Sequence, residues 1–215
     1  MNSAHTEGVI KFDLTHHPKP LEPNDEWQTL NAWRSILFQL QLIGQNPNRY
    51  EGLGFGNISA RLSSERFLIT GSQTGHLEPL TLEHYCLVTH ADPHRNQIES
   101  EGLIPPSSET LTHAAIYQCD TQIRAVIHVH DPLIWHHCEA LGLAVTPAHI
   151  PYGTRQMAES VQQLIQHQKQ PTQSVFGMLG HEDGIVSFGT SLAQAGKELI
   201  DIYARALALS SLSSG

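Results

Sequence analysis

Two histidines stand two residues apart in the run Ala125-Val126-Ile127-His128-Val129-His130. The run has the composition of a strand, and alternate residues of a strand share a face. His128 and His130 therefore point the same way, with Cβ atoms roughly 6.5–7 Å apart. Two imidazoles at that separation can converge on one ion at about 2.0–2.1 Å. Val126 shares their face, whereas Ile127 and Val129 point the other way into packing. Asp131-Pro132 ends the strand directly after His130, which puts the pair at a strand end, where open α/β sheets place ligands. The pair also has an ordinary explanation as two histidines on a partly solvated strand. Fifteen of the 215 residues are histidine, so about one such pair is expected by chance.

Three further features bear on the pair. Glu109 follows Pro106-Ser107-Ser108 at a predicted helix start, so its carboxylate can face the same cleft or simply favour the helix dipole. Ser107 and Ser108 can frame an anion pocket with the N–H groups of that helix terminus, or act as plain caps. His181 lies in the turn Gly180-His181-Glu182-Asp183-Gly184 between two predicted strands, where a side chain can project into a site.

These residues need a frame. Asn24 and Asp25 can cap a helix over 26–43, with Trp27, Leu30, Trp33, Leu37, Leu40 and Ile43 at helical spacing and Gly44 as the stop. A glycine-punctuated loop, 52–57, leads into a hairpin of Ile58–Leu62 and Phe67–Thr70. A short helix near 81–85 precedes a strand over 86–89, and Pro105-Pro106 closes the next extended piece. Ser107 or Ser108 caps a helix to about Gln118. A strand over 123–130 follows, and Asp131-Pro132 opens a helix to Gly142. Thr154 opens another helix carrying Met157, Val161, Leu164 and Ile165 on one face. Strands over 174–179 and 185–188 flank the His181 turn, and Thr190 caps a last helix over 191–209. The alternation implies an α/β layered sheet with helices on both faces.

The domain is expected over 26–209, between an N-terminal extension, 1–25, that wraps or frays and a flexible serine-rich tail, 210–215. A net charge of −9 with only 12 Lys plus Arg disfavours a nucleic-acid or anionic-membrane partner. No stretch approaches the roughly 20 apolar residues of a membrane span. Residues 1–14 lack a basic region followed by an apolar run, so no secretory signal is expected. Three widely spaced cysteines, Cys86, Cys119 and Cys138, argue for a reducing compartment, hence the cytoplasm.

Taken in chain order, seven pieces resemble the class II aldolase/adducin family. They are Gly56-Asn57-Ile58-Ser59, Leu68-Ile69-Thr70-Gly71-Ser72, Pro106-Ser107-Ser108-Glu109, His113 with Ile116-Tyr117, Ala125 to His130, Gly153-Thr154-Arg155, and Gly180-His181. The resemblance runs from about Trp27 to Leu209. It implies a three-layer α/β/α fold with a central mixed, mainly antiparallel β-sheet. It implies that His128, His130 and His181 bind a divalent metal, zinc or another transition ion. Glu109 then ligates the empty site's metal and acts as acid/base when substrate arrives. Asn57, Gly71, Ser72, Ser107 and Ser108 match residues that hold a substrate phosphate, although the loop Gly71-Ser72-Gln73-Thr74-Gly75 is longer than usual. The implied activity is that of a lyase of the aldolase type on a small phosphorylated hydroxy-ketone or sugar, working through a metal-stabilised enediolate. A homo-oligomer, most often a tetramer, goes with it.

The chain departs from the sugar-phosphate aldolases in two places. Leu141 to Tyr152 is too short for the hairpin whose tyrosine protonates the leaving aldehyde, and the chain stops soon after its last helix. Glu182 and Asp183 also follow His181 where a glycine is more usual; they can alter metal preference or substrate charge, or be solvated. A non-catalytic adducin-like binding module and an epimerase or dehydratase of a ketose phosphate are the alternatives. The dehydratases tend to lack the glutamate that Glu109 supplies. His113, one turn beyond Glu109, is expected to make a core hydrogen bond, and His16, His17, His136 and His137 are expected to face solvent.

Overall fold

The computed structural model describes residues 8–167 and 174–213, with side chains described to residue 211 at the C-terminal end. The elements in order are β1 (Asp13–Pro18), α1 (Asp25–Gln39), β2 (Gly44–Gln45), β3 (Gly54–Phe55), β4 (Asn57–Arg61), β5 (Phe67–Thr70), β6 (Tyr85–Asp92) and β7 (Gln97–Gly102). Then follow α2 (Thr110–Cys119), β8 (Ala125–His130), α3 (Pro132–His136), α4 (Cys138–Leu141), β9 (Ala144–Thr146), α5 (Arg155–His167), β10 (Val175–Met178), β11 (Gly184–Gly189) and α6 (Leu192–Ser213).

Nine strands form one sheet in the order β1-β7-β6-β5-β4-β8-β11-β10-β9. Its inner pairs are antiparallel, and the parallel pairs, β1/β7 and β10/β9, lie at the two edges. The sheet is thus mixed and mainly antiparallel, and helices cover both faces. Leu30 and Leu37 of α1, Ile134 of α3, Leu141 of α4 and Leu199 of α6 pack with Ile127 and Val129 on one face. Leu111 and Ile116 of α2 and Met157 and Val161 of α5 pack with Val126 on the other. Strand β8 is therefore sandwiched between two apolar clusters, with its two histidines on the α2/α5 face.

Local chemistry explains where the elements begin and end. Asn24 Oδ1 accepts the Trp27 amide at 2.8 Å, and Asp25 and Glu26 sit in the first turn of α1, where carboxylates suit the helix dipole. The helix stops at Gln39, short of the expected residue 43. Gln41 adopts φ 60, and the amides of Leu42 and Ile43 both turn back to the Leu37 carbonyl. Leu42 and Ile43 are then buried in the core, and the Leu42 carbonyl accepts the His130 amide at 3.0 Å. Asp131 caps α3 through the Ile134 amide at 2.7 Å with Pro132 next to it. The helix expected to run on to Gly142 breaks at His137, which leaves helical geometry at φ −105, ψ 13.

Several other expectations are corrected. Of the two courses expected for the N-terminal extension, its described part takes the wrapping one: Asp13–Pro18 adds a parallel edge strand to β7. His16 consequently lies half-buried against Ser100 Oγ at 3.0 Å, while His17 is exposed. The last helix is capped by Ser191, whose Oγ accepts the Gln194 amide at 3.1 Å, and not by Thr190. It continues to Ser213 through most of the expected tail, with Ser210 and Ser211 hydroxyls donating to the Leu207 and Ala208 carbonyls, a bond that keeps serine compatible with a helix. Residues 1–7 of the extension and 214–215 of the tail lie outside the described residues. Cys86, Cys119 and Cys138 are all free, and no described helix is long and apolar enough to cross a membrane.

Ile127 is wholly buried, and a truncated β8 side chain leaves a void between two covered layers. Ile127→Ala is expected to lower unfolding free energy by about 2–5 kcal/mol. Urea denaturation checks this, and a change below about 1 kcal/mol would show that this face of β8 repacks around the gap.

Candidate metal centre

The site is built where three chain segments meet at one end of β8. In the sheet, His128 lies opposite Asn57 of β4 on one side and Val186 of β11 on the other, and His130 lies opposite Gly184. The β10–β11 connection returns immediately beside His130, which delivers His181 to the same end. Gly184 lets the turn pack closely there, because a Cβ would stand only 3.1–3.2 Å from the His181 carbonyl, Cβ and Cγ. Gly56 performs the same service on the other flank, at φ +76, with the His128 carbonyl and Ile43 too close for a side chain.

Ligand atoms of His128, His130 and His181 all lie within 4.8 Å of one another, and all three residues are buried. His128 Nε2 and His130 Nε2 are 3.1 Å apart. Two nitrogens each about 2.0–2.1 Å from one ion stand a little over 3 Å apart in tetrahedral geometry, so this pair is already set for it. His128 Nδ1 lies 3.2 Å from the Ile185 carbonyl. A carbonyl can only accept, so Nδ1 carries the proton and Nε2 presents its lone pair to the site. Desolvation, followed by the neighbouring His181, holds both His128 and His130 well below the usual histidine range. Both rings are therefore neutral, as ligation requires.

Glu109 is almost fully buried. Its Oε1 stands 3.7 Å from His181 Nδ1 and its Oε2 accepts the Thr112 hydroxyl at 2.8 Å. The helix does not start where expected: Ser107 and Ser108 form a turn, and the Thr110 amide and hydroxyl both bond the Ser107 carbonyl. Glu109 thus occupies the cap position of α2 and not its first turn, and neither serine caps the helix through a longer run. The carboxylate turns away from the helix end towards the histidines.

Asn57, Gly71, Ser72, Ser107 and Ser108 line one small pocket together with Gly54, Gly56 and the loop 73–75. The five residues expected around a phosphate are thus brought together, although the amides of Gly71, Ser72 and Ser107 are committed to the His84, Pro105 and Thr70 carbonyls. The side chains that face a ligand there include the serine hydroxyls and Asn57, whose buried Oδ1 has no hydrogen-bond partner among the described residues. Arg34 holds the loop from behind, donating to the Thr74 and Gly75 carbonyls at 3.2 Å each and pairing with Glu78 at 2.6 Å.

His113 behaves as expected: it is fully buried, with Nδ1 2.7 Å from Ser59 Oγ, and burial depresses it to about 3. His136 is exposed, whereas His137 is half-buried and its Nδ1 donates to the Leu133 carbonyl at 2.8 Å. Of the two carboxylates after His181, Glu182 is exposed. Asp183 is buried and engaged, accepting from Tyr50 Oη at 2.5 Å and Arg49 at 3.0 Å. Tyr50, at positive φ, stands edge-on to His130 with centroids 4.7 Å apart. Burial and then the bond to Asp183 push its phenol far above the usual range. No spacing links residue 50 to residue 183, so this contact is invisible in the sequence. Tyr152 stacks on His181 at 4.2 Å and 18°. It and Tyr50 also line a cleft with Trp135 and Glu182 that opens beside His181.

Residues 47–207 match the family described as Class II Aldolase and Adducin N-terminal domain. The chain belongs to this family. A methylthioribulose-1-phosphate dehydratase of Pseudomonas syringae pv. syringae (strain B728a) is 29% identical over 122 residues, 56% of this chain. The alignment spans 54% of that protein, about half its length. Among solved structures, an L-fuculose 1-phosphate aldolase superposes with a TM-score of 0.66 at 18% identity, covering 91% of this chain and 89% of that one. The L-fuculose-1-phosphate aldolase from Thermus thermophilus gives 0.63 at 20% identity, with 87% and 93% covered. At such identities the superpositions establish the shared class II aldolase fold.

The depressed His113 yields a pH dependence with a definite sign. Between its unfolded value near 6.5 and about 3, the unfolded chain binds a proton that the native chain does not, so stability falls as pH falls. From pH 7.5 to 5.5, chelator-treated wild type is expected to lose about 1.4 kcal/mol more unfolding free energy than His113→Gln. Equal losses in the two proteins would show that His113 takes up its proton without unfolding.

Proposed function

We propose that this protein is a metal-dependent lyase of the aldolase type, acting on a small phosphorylated hydroxy-ketone or sugar. The observation that carries the reading is the meeting of three buried imidazoles within 4.8 Å, a buried carboxylate 3.7 Å from one of them, and a hydroxyl-lined pocket on the same strand ends. The donor set fits a divalent transition ion, zinc foremost: all-nitrogen histidine ligation with a fourth position open to substrate. Such an ion supplies Lewis acidity to a carbonyl and its neighbouring hydroxyl.

The chain's own residues do the rest. Asn57, Ser72, Ser107 and Ser108 bind and orient the phosphate, which fixes the carbon chain relative to the histidines. Glu109 moves the proton at the carbon or hydroxyl next to the carbonyl. Its burial excludes competing water, and the Thr112 hydroxyl on Oε2 leaves Oε1 facing the histidines. The fold and composition suit a cytoplasmic enzyme, and a homo-oligomer, tetrameric as is common in this family, goes with the reading. Dehydration of a ketose phosphate on the same residues is the second reading, favoured by the likeness to the dehydratase. The products distinguish the two: an aldehyde and a ketone from cleavage, a single compound one water lighter from dehydration.

The expected result is that purified protein holds about one divalent ion per chain and turns over one of a panel of ketose and aldose phosphates. Glu109→Gln is expected to lower kcat by about 10²–10⁴-fold with metal content and melting temperature unchanged. Wild type that takes up no divalent ion on titration, or a variant with wild-type turnover, would overturn the proposal.

A further inference from the structure

The segment that precedes the family-matching region reaches into the site. Gly8 lines the hydroxyl pocket with Asn57, Ser107 and Ser108. Three residues on, Lys11 Nζ lies 3.6 Å from the centroid of the Tyr152 ring and donates to the Tyr152 carbonyl at 2.9 Å. Tyr152 is only 2% exposed, and its ring lies against His181, with centroids 4.2 Å apart and planes 18° from parallel. An ammonium nitrogen and an imidazole at these two distances would collide on one face of the phenol. They must occupy opposite faces. The result is a sandwich of cation, phenol and metal-site imidazole.

Nothing about Lys11 is casual. Its carbonyl accepts Asn96 Nδ2 at 3.1 Å, and the Asp13 amide donates to the Asn96 carbonyl at 2.8 Å, where β1 enters the sheet. Ile10 and Phe12 on either side pack into the α2/α5 core. The backbone at Lys11 is thus fixed by its flanks, so docking of its head on the ring costs side-chain freedom alone. The stem passes close to Gly153, where a Cβ would stand 3.7 Å from Lys11 Cδ and 3.4 Å from the Ser108 carbonyl. The segment therefore spans from the hydroxyl pocket to the ring that stacks on His181.

We infer that Lys11 is a positioning residue of the metal centre, acting through Tyr152 to fix the plane of the His181 ring. The inference rests on the reading of the three histidines as metal ligands. A cation over one face of a phenol attracts the ring quadrupole and holds the ring in place. The ring's other face then leaves His181 one orientation, the one in which its ligand atom meets those of His128 and His130. Groups behind a metal-binding histidine set its direction, and removing one costs about 10–100-fold in metal affinity or activity.

The test uses the full chain and Co2+ as probe. Lys11→Met keeps the length and apolar stem but removes the cation. It is expected to weaken Co2+ affinity by about tenfold and to change the visible d–d absorption of the Co2+-loaded protein. Lys11→Arg, which can also lie over the ring, is expected to restore both to near wild type. Lys11→Met with wild-type Co2+ affinity and spectrum would overturn this inference alone, leaving Lys11 as a mere fold contact, whatever its melting temperature. A wild type that takes up no Co2+ would overturn the inference together with the proposed function.

Discussion

Strand β8 imposes the constraint on which the site depends. A strand repeats its side-chain direction every second residue, so His128 and His130 leave the same face at the strand's end and bring their Nε2 atoms to 3.1 Å. With the His128 proton on Nδ1, its Nε2 can only accept, so a hydrogen bond between the two rings has His130 Nε2 as its donor. The sheet holds them there. Ile127 and Val129 alternate with the histidines into the opposite core, and slipping β8 by one residue would exchange the two sets. The His130 amide is tied to Leu42, and the His128 ring is tied to the Ile185 carbonyl.

The rest of the centre is gathered around that pair by short connections. β4 and β11 flank β8 on both sides, so the glycine-rich entry to β4 brings Asn57 and the turn before β11 brings His181. Burial keeps His128 and His130 neutral. The neutral form is the one whose nitrogen lone pairs can bind a cation. His113 is the contrast: equally buried, it faces Ser59 and Tyr117 through an ordinary hydroxyl network and lies outside the three-histidine group.

How much of this was legible in the sequence varied with the range of the interaction. The strand period exposed the His128/His130 pair and the side of the sheet it faces. Caps marked α1 and α3, helix-start and turn signals singled out Glu109, Ser107, Ser108 and His181, and the resemblance joined them to Asn57, Gly71 and Ser72. Boundaries failed where tertiary contacts overrode local signals. The α1 pattern ran to residue 43, but Leu42 and Ile43 were drawn into the core. The serines before Glu109 read as caps but make a turn. The polar, proline-rich N-terminal stretch read as an extension that wraps or frays, although an unpaired β7 edge could recruit it. The contacts of Tyr50 with Asp183 and of Lys11 with Tyr152 join residues 133 and 141 positions apart. No periodicity reports such pairings, and only the folded arrangement reveals them.

X-ray absorption at the zinc edge of the zinc-loaded protein tests the central claim most directly. The account predicts three imidazole nitrogens at about 2.0–2.1 Å, with the remaining coordination by oxygen. Replacement of His128, His130 or His181 by alanine should remove one nitrogen from that shell or abolish binding. Coordination containing sulfur, or a shell unchanged by all three replacements, would mean that the ion sits elsewhere and that the convergence of these histidines has another cause.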